Sequence, residues 1–338
     1  MEDIIISFCV PSYNRSAMTK IMVDSIFEHK GNDIEVIVVD NCSTDDTVEI
    51  LGKINDPRLR VIVNKENIGV HANMAESLRY GRGLYSFMAL SREKLIGSQI
   101  ADLIQFLKSE EFALVYCGRD YTEGVNEIWE PGIDAVKKFG YNWLHPTGFI
   151  FNTKLIQQIL SKIDSKNAYE LYLHMPQDFW AAELALKGPS AIYRKIIRKK
   201  VEESYLLNNV SSFVNKDDDV WFSPNGRIKQ FEKYMSHLSN LSIGGKEKSK
   251  IFTWRYRSVL VTSTITYREK RSDPAACAHY STTLKKISLK ELMSISAQVK
   301  KEAYRIAKLY GIKISPITKV KMFFSKEYIL FRILSEKK

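Results

Sequence analysis

Four short stretches of this 338-residue chain combine residue types able to handle a phosphorylated ligand. They are Pro11-Ser12-Tyr13-Asn14-Arg15, Asp40-Asn41, Asn64 to Gly69, and Ser91-Arg92-Glu93-Lys94. A bound nucleotide needs a platform for its base, a polar clamp for its ribose and a cationic or N–H-rich cradle for its phosphates. Tyr13 can pack beside a base, and Asp40 can accept from a base N–H or a ribose hydroxyl. Asn67, with the flexible backbone at Gly69, can come close to the base. Taken singly, Asp40 and Asn67 are explained as well by turn and capping roles. Their position along the fold decides between the two readings.

The elements around these stretches alternate. Ile4–Val10 is a short β-branched apolar run ending at Pro11, as a buried parallel strand would. Ala17–His29 has apolar residues at helical spacing, and Ile34–Val39 is a second buried strand closing on Asp40. A helix restarts from Thr44 to Leu51, with Ser43 or Thr44 as its N-cap. Leu59–Val63, Leu84–Leu90 and Ala113–Cys117 supply further strands, separated by helices at Ala72–Tyr80 and Gln99–Lys108. Such βα repetition predicts an α/β fold, a mostly parallel sheet flanked by helices. Ligands of these sheets bind at the carboxyl ends of the strands, which is where all four stretches fall. From Glu123 to Trp143 the periodicity fades into a loop-rich region. His145-Pro146-Thr147-Gly148 leads into a strand at Phe149–Phe151, followed by helices through Leu155–Ile163 and from Gln177-Asp178 to Gly188-Pro189. Ala191 to Arg198 completes the pattern as one more strand. Residues 1–210 form the expected nucleotide-binding domain, 211–240 a loop and boundary region, and 241–338 a mainly helical C-terminal region.

Composition, 45% hydrophobic and 26% charged, is that of a globular protein. Cys9, Cys42, Cys117 and Cys277 form no CxxC pair and no Cys/His cluster, which suggests free thiols in a reducing compartment. The N-terminus has the pattern of no secretory signal, and no apolar run reaches membrane-spanning length. The cytoplasm, or the inner face of the cell membrane, is the expected location. The net charge of +11 is uneven: residues 241–338 hold 22 Lys+Arg against 7 Asp+Glu. The remainder is slightly acidic.

Three blocks, CVPSYNR (Cys9–Arg15), EVIVVDNCSTDDT (Glu35–Thr47) and NKENIGVHANMAESLRYGRGLYSFMALS (Asn64–Ser91), resemble in order and spacing the family 2 glycosyltransferases. That family has the GT-A fold and works by inversion. The resemblance implies a nucleotide-diphosphate sugar donor, most of all UDP-linked. The implied acceptor is a glycan or polyprenyl-linked saccharide in surface polysaccharide assembly, such as O-antigen or capsule. Pro11, Tyr13, Asn14, Arg15, Asp40, Asn67, Gly69 and Ser91 would then contact the nucleotide sugar. Met175-Pro176-Gln177-Asp178 resembles the family's later acidic motif, which implies Asp178 as general base for the acceptor hydroxyl. His145 and Gly148 fall on the acceptor side. One departure stands out: after Leu90-Ser91 the family carries Asp-Asp-Asp or Asp-Xaa-Asp, whereas this chain continues Arg92-Glu93-Lys94. Arg92 and Lys94 would replace the divalent cation that normally stabilises the leaving diphosphate. No cofactor is therefore expected; Mg or Mn, held from a shifted position that includes Glu93, is the fallback. The alternative is a catalytically silent relative that binds nucleotide or glycan as a scaffold.

The last segment, Ile317–Lys338, places Val320, Phe323, Phe324, Leu330, Phe331 and Leu334 close to one helical face, among several Lys and Arg. A basic amphipathic helix of this kind suits peripheral contact with an anionic membrane or packing on the protein itself. The tail has no Arg-rich tract, RNP-like strand or zinc spacing, so nucleic acid is not an expected partner.

Overall fold

A computed structural model of the chain describes residues 3–118, 124–163, 175–201, 220–324 and 328–329. The chain divides into two compact units, Met1–Val210 and Ser211–Lys338.

The first unit is built on an eight-stranded sheet in the order β3-β2-β1-β4-β8-β6-β9-β7. Its parallel half comprises β1 (Ile6–Ser12), β2 (Ile34–Asp40), β3 (Leu59–Val63) and β4 (Tyr85–Met88). β2 is buried along its whole length, as a strand covered on both faces must be. On one face Ile6, Phe8 and Val10 pack with Met22, Val23 and Ile26 of α1 (Ser16–Phe27) and with Ile100, Leu103 and Ile104 of α4 (Ile100–Leu107). On the other lies α3 (Val70–Arg79), against β1 and β2. The short α2 (Thr47–Gly52) packs beside α1.

The far half of the sheet is mixed. β8 (Phe149–Asn152) runs antiparallel to both β4 and β6 (Leu114–Tyr116), and β7 (Glu127–Trp129) runs antiparallel to β9 (Ser190–Ile192). The region read as loop-rich holds β7 and α5 (Ile133–Phe139), elements too short for periodicity to reveal. α6 (Thr153–Leu160) follows β8, capped by Asn152, which accepts from Leu155 N–H at 3.1 Å. α7 (Pro176–Leu184) starts on proline at its first turn, where the missing N–H costs nothing.

Three local expectations change. The single strand read from Ala191 to Arg198 is two: β9 ends at Ile192, and β10 (Arg198–Lys200) pairs instead with β5 (Glu93–Leu95) in a separate ribbon. Residues 93–95, read as a strand-end loop, are thus a strand. What holds them there is Arg198. Its guanidinium ion-pairs with Glu93 and its Nε donates to the Cys117 carbonyl at 3.0 Å, with both side chains 2% exposed. Ser43 and Thr44 do not cap α2, which begins at Thr47; their hydroxyls are used by the neighbouring loops.

The second unit is helical. Residues 224–240, assigned from sequence to the boundary region, form its first long helix, α8 (Pro224–Asn240), capped by Ser223. α9 (Gly245–Val261) continues through one widened turn into α10 (Tyr267–Ser272). α11 (Pro274–His279), α12 (Leu289–Leu309) and α13 (Pro316–Phe323) complete it. Phe231, Tyr234, Leu238, Phe252, Tyr256, Leu292, Val299 and Ile306 are among its buried residues.

Removing one partner of a buried ion pair leaves a charge with no water to solvate it. Arg198→Met should therefore lower stability to urea by about 3–5 kcal/mol. The paired change Glu93→Gln/Arg198→Met should recover most of that loss.

Candidate active site

The carboxyl ends of β1, β2, β3 and β4 carry the loops singled out from sequence, and the side chains there bind mainly one another. Asp40, fully buried at the end of β2, accepts from Ser43 N–H at 2.8 Å and from the Ser43 hydroxyl at 2.5 Å. Ser43 Oγ in turn accepts from Asn14 N–H at 2.8 Å. The Asn14 carboxamide oxygen accepts from Thr44 N–H at 2.8 Å, its own backbone sitting at φ 49°. Asn at a left-handed position that also bridges two loops is a residue chosen for both properties. The β1 and β2 loops are thereby one rigid body.

A second network, invisible in the sequence reading, extends this to β3. Asn41 Oδ1 accepts from Asn64 Nδ2 and from Ile68 N–H, each at 3.0 Å. Asn64 Nδ2 also donates to Asn73 Oδ1 at 2.9 Å, and Asn73 Nδ2 donates to the Val39 carbonyl at 3.0 Å. Asn67 Oδ1 accepts from Asn41 Nδ2 at 2.8 Å and from Gly69 N–H at 2.9 Å. Gly69 stands at φ 85° before α3, with open space where a Cβ would be. The turn reading of Asp40 and Asn67 is thus what their contacts show. These residues shape the loops on which a ligand would rest.

Above that frame Tyr13 is exposed, and Pro11 is half-buried. Ser91 is buried beside Arg92 at the end of the β4 loop. The Thr147 hydroxyl accepts from Leu90 N–H at 3.2 Å, which brings the 145–148 loop to the β4 end. His145 is exposed, and its Nδ1 accepts from Thr147 N–H at 3.3 Å. Gly148 has a packing reason of its own. At φ 102°, a Cβ there would meet the Cys117 carbonyl oxygen at 2.3 Å and the Arg198 Nε at 3.1 Å.

Arg15 and Arg92 are the electrostatic centre. Neither guanidinium has an ion pair or side-chain hydrogen bond among the described residues. Arg15 is half-buried, and its pKa is lowered to about 10, first by burial and then by the positive charge of Arg92. Arg92 is more exposed, and the part of it that is covered lowers its pKa in the same direction. Two cations held together without an acid between them make a place for an anion. Lys94 is placed differently: in the β5–β10 ribbon it stands opposite Lys199, so like charges face each other across the strands. Glu93, which the fallback reading offered to a metal, is taken by Arg198. Among the described residues no group of three His, Cys, Asp or Glu side chains could hold a metal ion.

Asp178 lies in the first turn of α7 with no exposed surface. Its Oδ2 accepts from Trp143 N–H at 3.2 Å, and its carbonyl accepts from Tyr141 N–H at 3.2 Å. Tyr141 and Trp143 both adopt left-handed backbone, at φ 51° and 57°, and Gln177 Nε2 donates to the Leu144 carbonyl at 3.0 Å. Burial, with Glu183 and Asp178 nearby, pushes the Tyr141 phenol well above its ordinary range. The start of α7 therefore clamps a strained loop, and Asp178 is the acid in that clamp.

Residues 7–169 match the family model described as glycosyl transferase family 2. The first unit matches the family 2 glycosyltransferase model over most of its length. The family's relatives agree with that. Abequosyltransferase RfbV of Salmonella typhimurium is 31% identical over 165 residues, 46% of either chain. The UDP-Glc:alpha-D-GlcNAc-diphosphoundecaprenol beta-1,3-glucosyltransferase WfaP of Escherichia coli is 28% identical over 112 residues, 33% of this chain and 45% of WfaP. The chain spans less than half the length of these curated relatives. The S. aureus TarS structure in complex with UDP-GlcNAc superposes with a TM-score of 0.59 at 14% identity, covering 96% of this chain and 87% of that one. At that identity the likeness establishes the fold, which is GT-A.

The Arg15–Arg92 repulsion has a sign that can be tested. The folded state lowers the Arg15 pKa from the ordinary 12.5, so the charged form is strained at neutral pH and relieved as pH rises through about 10. Arg92→Gln should leave the ligand-free protein as stable as the parent or more so in thermal unfolding. Pyrophosphate binding by the parent, followed by calorimetry, should fall as pH approaches 10. In Arg92→Gln that alkaline limb should move to higher pH, from a weaker starting affinity.

Proposed function

We propose that the chain moves a sugar, with inversion, from a nucleotide-diphosphate donor to a glycan or polyprenyl-linked acceptor, and that Arg15 and Arg92 take the place of a divalent cation. The donor in this reading is UDP-linked, and the setting is surface polysaccharide assembly. The observation that carries it is the pair of acid-free guanidinium groups at the carboxyl edge of the sheet, where relatives place acids after Leu-Ser. A diphosphate leaves with growing negative charge, and fixed donors aimed at that charge lower the barrier without reorganising. Arg supplies a planar fork suited to phosphate oxygens, and Lys94 with Lys199 adds positive potential along the neighbouring ribbon.

The donor set does not fit a metal. Arg92 and Lys94 repel one, and the Glu93 carboxylate is committed to Arg198. The nucleoside would lie on the rigid loops held by Asp40, Asn41, Asn14 and Asn67, with Tyr13 beside the base. Asp178 is the residue assigned to accept the acceptor hydroxyl's proton as that oxygen attacks the anomeric carbon. Its hydrogen bond from Trp143 N–H fixes the direction of the carboxylate. Within this reading His145 lines the acceptor side, and Gly148 positions its loop by close packing.

The test is donor hydrolysis and transfer across a panel of nucleotide sugars, with EDTA and with manganese in parallel. Turnover of one donor, unchanged by EDTA, is expected. Arg92→Gln and Arg15→Gln should each reduce kcat by about a hundredfold or more, the scale for losing one charge-stabilising donor. Asp178→Asn should lose turnover yet still bind donor. Turnover abolished by EDTA and restored by manganese would refute the cation replacement. Donor binding with no turnover by any variant, acceptor present, would favour the scaffold.

A further inference from the structure

The second unit presents an apolar ridge in an unusual place. In α13, Thr318 and Met322 turn inward, and the Thr318 hydroxyl shares a 2.6 Å hydrogen bond with that of Thr253 on α9. The face turned to solvent is the apolar one. Ile317 is 67% exposed, Val320 56%, Phe323 66% and Phe324 52%. A helix of a globular protein buries such a stripe and exposes its charges; here the stripe is exposed along with them. Single exposed apolar residues are ordinary, but four on successive turns of one short helix form a patch.

The charges carried by the stretch that holds the patch are basic. Residues 303–324 include Lys308, Lys313, Lys319 and Lys321, with Arg305 paired to Glu232 and Glu302, and no Asp or Glu. Lys319 and Lys321 are exposed on α13 itself, between the apolar positions. From α12, Lys300 sits 5.4 Å above the Phe323 ring, and Leu309 adds a further exposed side chain. A second copy of this face would bring like charges together. A ridge of protruding rings suits a fluid medium, which accepts it without a matching cleft. The combination of protruding aromatic and aliphatic side chains with a cationic margin matches the boundary between headgroups and acyl chains.

We propose that α13 docks the protein on an anionic lipid bilayer. Phe323, Phe324, Val320 and Ile317 enter the interface, and Lys319 and Lys321 meet the anionic headgroups. This surface is independent of the sugar-transfer reading, since none of its residues belongs to the nucleotide loops.

The experiment is co-sedimentation of the full chain with vesicles of phosphatidylcholine alone and of phosphatidylcholine with phosphatidylglycerol, at low and raised salt. Binding to the phosphatidylglycerol vesicles, weakened by salt, is expected. Lys319→Gln/Lys321→Gln should weaken it by about fivefold per cation removed. Phe323→Ser/Phe324→Ser should weaken it at least tenfold and leave UDP binding and thermal unfolding unchanged. A Phe324→Trp reporter should shift its emission to the blue on vesicles. The proposal falls if the chain ignores anionic vesicles, or if the double Phe variant binds as well as the parent. It falls equally if sedimentation shows a dimer that the Phe variant dissociates, or if an acidic protein protects the reporter where lipid does not.

Discussion

The buried pair of Glu93 and Arg198 is the contact on which the rest of the catalytic-side geometry hangs. An isolated carboxylate at that depth would cost several kcal/mol in lost hydration, so the two charges oblige each other to stay. Their meeting stitches β5 to β10, and the second donor of Arg198 reaches the Cys117 carbonyl at the end of β6. The Cys117 carbonyl that it holds leaves no room for a side chain at Gly148. One ion pair thus sets the course of the chain after Arg92, the approach of the 145–148 loop and the separation of β9 from β10. It also decides what Glu93 can do. The one acid of this segment is held by an arginine.

Rigidity on the other side of the site comes from the Asp40 carboxylate and a set of neutral amides. The amides of Asn14, Asn41, Asn64, Asn67 and Asn73 join the first three strand ends into a continuous hydrogen-bonded frame. Each amide offers both a donor and an acceptor, so a chain of them can be satisfied without net charge. The amides therefore add no charge of their own beside Arg15 and Arg92. Charge and shape are assigned to different residues, and a substitution in one set need not disturb the other.

The parallel half of the sheet was legible because strands covered on both faces need long apolar runs, and Ile34–Val39 is such a run. The strand-end loops followed from that, and with them Tyr13, Asn14, Arg15, Asp40 and Arg92. What sequence could not show was pairing at a distance. Nothing near Arg198 announces that it belongs to Glu93, a hundred residues away in the chain, and a three-residue strand has no period to detect. The bonds among Asn41, Asn64 and Asn73 join two strand-end loops to a helix, and no local pattern announces such a contact. The distinction between Arg92 and Lys94 was equally hidden. The two are neighbours in sequence, yet one lies beside Arg15 and the other faces Lys199. In the C-terminal segment the expected apolar face holds Val320, Phe323 and Phe324, and the fold leaves all three exposed while it buries Met322. Leu330, Phe331, Ile333 and Leu334 lie outside the described residues.

Cations that belong to the protein differ from a metal in one respect: they do not leave. A divalent ion can depart with the nucleoside diphosphate it coordinates, which shields the product's charge on its way out. Guanidinium groups anchored at Arg15 and Arg92 stay behind, and attract a diphosphate as strongly after the sugar has gone as before. On the proposed assignment the spent nucleotide is thus a competitor of the donor. The pace of repeated cycles is then set by how fast that product escapes, and an activity that cleared it would speed the whole assembly line.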